Sequence, residues 1–355
     1  MFAGTLGLIP RNRVRKTGPQ AGDWAYLIGG KTGRDGIHGA TFSSQELTLE
    51  DPIGVVQIGN PILEKKVLDF FMEARAAGLY NSVTDLGAGG IACAIWELAV
   101  SSLERENRRL GVQVELDGVA FKEPGMEGWE ILVSESQERM MISAPTSKKK
   151  AIEEMLNRFE LDFACLGRFV RGGKVQISFQ NQTLVDLPLR FLKEHPKKSF
   201  ELRIEGRESK ILRESPVSRL MSEVSRSELH SLGLKLLSSA NIASKENIIR
   251  QYDHEVGGRT VAKPLSGPGG IAPADGVVVR PLYGSWQAAT IGLGWAGRLA
   301  KKNPRAAALA SVDEALRNIA AVGGGLLHWS LLDIIARVPA RIFAFCANLW
   351  KFPRL

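Results

Sequence analysis

The sequence has 355 residues, of which 44% are hydrophobic and 24% are charged, and its formal net charge is +8. This length allows two domains with packed cores, and the ordinary composition excludes wholesale disorder and a fibrous repeat. The basic residues form only short, scattered groups, so we interpret the positive charge as solvated surface and expect no nucleic-acid partner.

The cysteines and histidines give no sign of a metal cage or a disulfide framework. Cys93, Cys165 and Cys346 lie far apart without CxxC spacing, and no two histidines are four residues apart. At the N-terminus the basic residues follow the short apolar stretch, which is the reverse of a secretory signal, and we expect a cytoplasmic protein. The apolar stretch 319–350 is interrupted by Asp333 and Pro339, so we expect a buried or misfitted segment there and no membrane span.

The first predicted domain covers residues 22–180, where apolar runs with the character of strands alternate with amphipathic helices. The patterns predict strands at 24–30 and 82–85, and helices at 61–77, 91–103 and 148–159. Further strands are predicted in EILVS and ERMMIS, and edge strands at 165–170 and 174–179.

Beyond residue 180 the composition becomes more charged. Residues 181–251 are predicted to be a mostly helical connector, with one amphipathic helix at 228–240. From residue 252 a second unit begins, with strand-like pieces in TVAKPL and GVVVRPL and a helix at 305–321. The predicted class is α/β, with mixed sheets and helices.

The segment GGKTGRDG begins with what resembles the end of a nucleotide P-loop, since residues 30–32 spell GKT. The first glycine of a P-loop would have to stand at position 25, which is alanine and lies inside the predicted strand. What remains is a glycine-rich turn that carries Arg34, Asp35 and His38 and presents backbone N–H groups to an anion. Considered alone, a structural turn is the preferred interpretation.

The segment TDLGAGG at 84–90 lies between a predicted strand and a predicted helix. Its glycines let the backbone approach a ligand, the start of the helix offers N–H donors, and Asp85 suits a Mg²⁺ ion that bridges phosphate oxygens. An aspartate before a helix also commonly caps it. Both interpretations stay open on local grounds.

Two further segments place polar residues next to apolar runs. SESQERM at 134–140 either lines a cleft or forms a hairpin turn, and Gln57 in VQIGNP faces either a ligand or the backbone. The hairpin and the backbone contact are the default interpretations.

In their order and spacing these segments resemble the synthetase subunit of the phosphoribosylformylglycinamidine synthase family. The resemblance rests on GGKTGRDGIHGATFSS, VQIGNPILEKK, TDLGAGG and WEILVSESQERM, with NIASKENIIRQYDHEV and VDEALRNIAAVGG later in the chain. It covers roughly residues 4–333.

The resemblance implies an architecture of domains of the aminoimidazole ribonucleotide synthetase type. Residues 1–21 would end a preceding domain, and residues 22–180 would form a C-terminal-type domain. Residues 252–355 would form an incomplete N-terminal-type domain whose tail is atypical from about 334.

The implied activity is that of a ligase in purine biosynthesis. It uses ATP and Mg²⁺ to convert formylglycinamide ribonucleotide and glutamine-derived ammonia to the amidine, with glutaminase and small accessory subunits as partners. By resemblance, Asp85 would bind Mg²⁺, Asp333 would contact nucleotide, and the substrate would be bound by Gln57, Glu135, Ser136 and Gln137.

The sequence departs from the family pattern in two ways. It contains no SHNHPS-like motif with catalytic histidines, and Gly257 stands where the family usually has glutamine. We therefore expect an internal piece of a larger synthetase that does not form the product alone. The alternatives are another ATP-using synthetase or kinase of the same superfamily, such as a selenophosphate or thiamine phosphate enzyme, and a catalytically inert structural or interaction module.

Overall fold

The computed structural model describes most of the chain in two compact units. The units are residues 9–199, and residues 1–8 together with 200–355. The residues described are 6–14, 17–37, 59–106, 110–193, 225–240, 242–251, 255–300, 303–325, 329–336 and 341–351.

The unit of residues 9–199 is built on a mixed sheet of seven strands. Their order is β2-β4-β1-β5-β3-β6-β7. Strands β3 and β6 run parallel, and the other neighbouring pairs are antiparallel. The strands are β1 (Trp24–Gly29), β2 (Ser82–Asp85), β3 (Leu110–Glu115), β4 (Arg139–Ala144), β5 (Phe163–Arg171), β6 (Lys174–Phe179) and β7 (Gln182–Pro188).

Helices cover both faces of this sheet. Strand β1 is buried, and its side chains alternate between two clusters because successive side chains of a strand point to opposite faces. Ala25 and Leu27 belong to the cluster that contains α2, whereas Tyr26 and Ile28 belong to the cluster that contains α1 and α4. The helices are α1 (Pro61–Ala76), α2 (Gly90–Glu106), α3 (Gly128–Val133), α4 (Lys149–Arg158) and α5 (Leu189–Lys193).

The start of α1 follows from its first residues. The side chain of Asn60 accepts a hydrogen bond from the backbone N–H of Leu63 at 3.1 Å, and Pro61 occupies the first helical position. Further along, Val67, Phe70 and Ala74 return to the buried face at helical spacing. The Phe70 ring packs edge-to-face against Phe159, which follows α4.

One predicted strand is wrong. The segment EILVS was assigned to a strand, but its residues lie in α3 and the turn that follows. A capping box starts this helix, in which the Glu127 side chain accepts from the N3 backbone N–H and Glu130 accepts from the N–H of Glu127 at 2.8 Å. The adjacent residues Ile131 and Leu132 are both buried in the core. Burial of two neighbours in sequence differs from the alternation that identifies a half-buried strand, so the short apolar run did not distinguish a strand from a helix.

Two strands of the first sheet were not predicted. Strand β3 fell in no predicted element, and β7 lies within the stretch we assigned to a mostly helical connector. Strand β7 pairs with β6 and so continues the first sheet past residue 180.

The second unit contains an antiparallel five-stranded sheet, in the order β13-β14-β12-β11-β8, and the pair β9–β10. Its strands are β8 (Thr260–Ala262), β9 (Leu265–Ser266), β10 (Ala272–Pro273), β11 (Gly276–Val279), β12 (Gln287–Trp295), β13 (Ser330–Ala336) and β14 (Arg341–Lys351). Its helices are α6 (Arg226–Leu237), α7 (Glu246–Ile249), α8 (Gly297–Ala300) and α9 (Pro304–Ala321). The predicted α/β class is thus confirmed in both units.

Helix α9 lies very close to β12. A Cβ atom on Gly294 would stand 1.8 Å from the carbonyl oxygen of Ser311, so this position admits only glycine. Ala315 and Ile319 on the same helix face are fully buried. The apolar stretch 319–350 supplies the end of α9 and much of β13 and β14. None of the described helices has the length and apolar character needed to cross a membrane.

The packing around α1 predicts a large stability difference between two positions of one helix. Phe70→Ala removes a fully buried ring, so we expect the free energy of unfolding to fall by about 3–5 kcal/mol. Met72→Ala is the matched control, because Met72 is 49% exposed, and we expect a change within about 0.5 kcal/mol. Urea titration of both variants measures the difference, and equal losses would contradict this account of the core.

Candidate functional site

Three segments meet at one end of the strands β2, β4 and β1. They are the glycine-rich turn (residues 29–37), the TDLGAGG loop (84–90) and the ESQ turn (134–138). Strand β4 lies between the other two, with Arg139 opposite Gly29 and Met140 opposite Asp85. The turns that leave these strand ends are therefore neighbours in space.

Hydrogen bonds join the ESQ turn to both other segments through Glu135. The backbone N–H of Glu135 donates to the carbonyl oxygen of Asp35 at 2.9 Å. The N–H of Gly89 donates to the carboxylate of Glu135 at 3.2 Å. The Glu135 side chain is 6% exposed, so the position of this carboxylate is defined by the segments around it.

The buried guanidinium of Arg139 donates hydrogen bonds to the backbone of the ESQ turn. Its Nε donates to the carbonyl oxygen of Ser136 at 2.9 Å, and its Nη2 donates to that of Ser134 at 2.6 Å. Its Nη1 donates to the hydroxyl of Thr32 at 2.9 Å. Burial lowers the pKa of Arg139 to about 10, against the opposing effect of the Asp35 charge, so the group stays charged at neutral pH.

Asp35 accepts two hydrogen bonds within the same network. Its Oδ2 accepts from the hydroxyl of Ser136 and from the ammonium of Lys122, each at 2.5 Å. Partial burial acts to raise the pKa of Asp35, but the bonds from Lys122 and Ser136 and the charges of Lys122 and Arg139 outweigh it, and the pKa lies below its ordinary value of 3.8. The carboxylate is therefore ionised at neutral pH.

Arg34 attaches the glycine-rich turn to the segment around α3. Its Nε lies 2.7 Å from the Glu130 carboxylate, and its Nη1 lies 3.0 Å from that of Glu123. The sequence predicted that Arg34, Asp35 and His38 would be presented to an anion. In the structure the side chains of Arg34 and Asp35 contact other protein groups instead. The third, His38, lies outside the described residues.

The TDLGAGG loop contacts the ESQ turn through its backbone. Gly90 begins α2 with φ +54°, and a Cβ atom there would stand 2.0 Å from the carbonyl oxygen of Ser134. Only glycine permits both this φ and this approach. The backbones of the two turns are therefore in direct contact at this point.

Asp85 lies exposed at the end of β2, before this loop. Burial, then the neighbouring carboxylates of Glu97 and Asp85, raise the pKa of the Cys93 thiol in the first turn of α2, so the thiol stays protonated at neutral pH. The Oδ2 atom of Asp85 would stand 3.8 Å from a Cβ atom on Gly87, so the carboxylate lies beside the TDLGAGG loop.

The described residues contain no group of three or more His, Cys, Asp or Glu side chains that could hold a metal ion. Mg²⁺ in phosphate sites typically uses one or two carboxylates and completes its coordination with phosphate oxygens and water. A single exposed carboxylate such as that of Asp85, beside a helix start, fits this requirement.

The structure brings together some of the predicted site residues. Asp85, Glu135, Ser136 and the half-buried Gln137 meet at the ESQ turn and the TDLGAGG loop. Gln57 lies outside the described residues. The backbone of Asp333 lies in β13 opposite Ala344, in the other unit.

Lys122 and Arg139 contribute to the site and were not recognised in the sequence. Lys122 carries no motif, since its partner Asp35 lies 87 positions away. Arg139 did leave a signal, because strand alternation places it on the same face as the fully buried Met141. A charge at a core-facing position indicates a buried polar network.

Comparison with known proteins gives a consistent result. Residues 20–180 match the family model "AIR synthase related protein, C-terminal domain". The chain is 33% identical to the phosphoribosylformylglycinamidine synthase subunit PurL of Thermoplasma volcanium over 328 residues, which is 91% of this chain and 41% of the relative. It is 36% identical to the PurL of Methanothermobacter thermautotrophicus, with 89% of this chain and 41% of the relative covered.

A solved structure shares the fold. Thermotoga maritima PurL complexed with FGAR superposes with a TM-score of 0.68 at 24% identity, covering 95% of this chain and 56% of that one. The chain spans about two fifths of the length of the curated relatives it matches.

The contact between Gly90 and Ser134 predicts a specific stability loss. Gly90→Ala has to tolerate both a positive φ and a clash with the Ser134 carbonyl, so we expect it to destabilise the first unit by more than the positive φ alone, which costs about 1–2 kcal/mol. Gly78→Ala is the matched control, because Gly78 has φ +60° with nothing within 4 Å of its Cβ position. Thermal unfolding compares the two, and equal losses would show that the two turns are not in contact.

Proposed function

We propose, from the premise that this chain is a homologue of the PurL subunit of phosphoribosylformylglycinamidine synthase, that it forms the ribonucleotide-binding part of that ATP-dependent ligase of purine biosynthesis. The observation that carries the proposal is the hydrogen bond from the Gly89 N–H to the Glu135 carboxylate at 3.2 Å. It joins the two motifs to which the family resemblance assigns magnesium and substrate.

We propose that the substrate is formylglycinamide ribonucleotide, bound at the ESQ turn. Hydroxyl and amide groups of such a ligand suit a carboxylate and an amide side chain, which Glu135 and Gln137 provide. Its phosphate suits the backbone donors at the start of α2. Gln57 is assigned here by resemblance, and a Cβ atom on Gly59, two residues later, would stand 3.0 Å from the Glu138 carboxylate at the end of the ESQ turn.

Asp85 is the residue we propose to hold Mg²⁺. The bound ion would neutralise phosphate charge in the transfer step, and the protein's part is to offer one exposed carboxylate beside the TDLGAGG loop. Nucleotide binding is supported by the fold neighbour, since Thermotoga maritima PurL was also obtained complexed with ATP. By resemblance, Asp333 is the residue of this chain proposed to contact nucleotide.

The remaining parts of the proposal concern the whole enzyme. Glutaminase and small accessory subunits are the proposed partners, and the cytoplasm is the proposed compartment. The chain covers 41% of its curated relatives, and its sequence lacks an SHNHPS-like motif. On this support we propose that it binds the ribonucleotide without completing the reaction.

Binding is tested by calorimetric titration of the purified chain with formylglycinamide ribonucleotide in Mg²⁺. We expect a saturable signal that Asp85→Asn weakens roughly 10- to 100-fold, because outer-shell changes at metal sites already cost that much. Asp186→Asn is the matched control, since it removes a carboxylate from the exposed Lys174–Asp186 pair between β6 and β7. The control is expected to bind as the unchanged chain does.

Two outcomes would redirect this assignment. A folded chain that gives no signal with the ribonucleotide favours the inert structural or interaction module. A signal with thiamine monophosphate instead favours another member of the superfamily.

Turnover is a separate measurement on the same chain. With ATP, Mg²⁺, formylglycinamide ribonucleotide and ammonium present, we expect no formylglycinamidine ribonucleotide to form. Appearance of that product, followed by chromatography, would overturn the proposal that this chain does not act alone.

A further inference from the structure

The hydroxyl of Ser136 is already engaged by the protein. The side chain is fully buried, donates to the Asp35 carboxylate at 2.5 Å and accepts from the N–H of Gly33 at 2.9 Å. The hydroxyl of Ser134 lies 3.2 Å away, beside the same oxygen. A serine hydroxyl has one proton and two acceptor positions, so Ser136 has no proton left to give to a ligand.

We infer that Asp35 and Arg139 are positioning residues of the ribonucleotide site, and that Ser136 acts through Asp35 and does not touch the ligand. The inference rests on the proposed function, since it assigns roles within the same site. It departs from the family resemblance, which implies that Ser136 itself binds the substrate.

Asp35 holds two adjacent residues of the ESQ turn. Its carbonyl oxygen accepts from the N–H of Glu135, and its carboxylate accepts from the side chain of Ser136. The Ser134–Glu135 peptide, to which that N–H belongs, and the side chain of Ser136 are thereby tied to the glycine-rich turn. Lys122 keeps the Asp35 carboxylate in place with a 2.5 Å ion pair.

Arg139 fixes the carbonyl groups on either side of Glu135. One guanidinium reaches the oxygens of Ser134 and Ser136 and the hydroxyl of Thr32, in a fork that a lysine ammonium does not reproduce. Since the Glu135 carboxylate also accepts from Gly89, its backbone and side chain are both defined before any ligand arrives. Preorganisation of this kind reduces the ordering cost of binding.

The two roles predict different patterns in a double-mutant cycle on ribonucleotide affinity. Asp35→Ala and Ser136→Ala are each expected to weaken binding roughly 10-fold, the scale of a lost hydrogen bond to a charged group. If Ser136 acts through Asp35, the double variant binds no more weakly than Asp35→Ala alone, because the connection is already broken. If Ser136 touches the ligand, removing its hydroxyl weakens binding further in the Asp35→Ala background, and this additional loss would overturn the inference.

Arg139→Lys tests the guanidinium fork while preserving the charge. We expect weakening of at least about 10-fold with the fold retained, since single ammonium donors replace a planar fork. Arg158→Lys is the control, at the exposed ion pair with Glu73, and is expected to leave affinity unchanged. Unchanged affinity in Arg139→Lys would overturn the positioning role of Arg139.

The unfolding midpoint of each variant separates loss of folding from loss of binding. If Asp35→Ala does not fold, Asp35→Asn replaces it in the cycle with Ser136→Ala, because it removes the charge of the same acceptor, and non-additive losses are again the expected result. Absence of binding by the unchanged chain would refute the proposed function. Binding by the unchanged chain, with a further loss of affinity when Ser136→Ala is added to Asp35→Ala, would refute the positioning inference alone.

Discussion

A buried cation organises the candidate site. The guanidinium of Arg139 is 2% exposed, and a cation removed from water to this extent is tolerated only when hydrogen-bond acceptors surround it. Its acceptors are the carbonyl groups of the ESQ turn and the hydroxyl of Thr32 in the glycine-rich turn. The nearby Asp35 carboxylate adds a compensating charge. Satisfying one cation therefore requires the two turns to be held together.

The sheet makes this arrangement possible. Strand β4 begins with Arg139 and lies between β1 and β2, so the ESQ turn emerges between the other two segments. Helices on both faces bury the strands and fix their register, since a slip of one residue would send the Arg139 side chain to the opposite face. The strand order therefore determines where the site lies, and the residues of the turns determine its chemistry.

The sequence was informative where a pattern was local. Pro61 and the helical spacing of the apolar residues after it indicate α1, and the apolar run that ends in glycine at 24–30 indicates β1, because such patterns depend on near neighbours. The capping box at Glu127 is local too, but a strand-like apolar run concealed it. The family resemblance drew attention to Glu135 and Asp85, whereas the roles of Lys122 and Arg139 depend on partners that only the tertiary fold brings close. The engagement of Ser136 by Asp35, 101 positions away, was hidden for the same reason.

The strand order also limits how early during synthesis of the chain the site can form. The partners of β1 are β4 and β5, and the partner of β2 is β4, so both early strands pair with segments that leave the ribosome later. Until Ala144 has emerged, the glycine-rich turn and the TDLGAGG loop belong to strands that still lack the neighbour joining them. Such non-local pairing closes large loops late and slows folding. The candidate site therefore cannot be complete before β4 has paired with both β1 and β2.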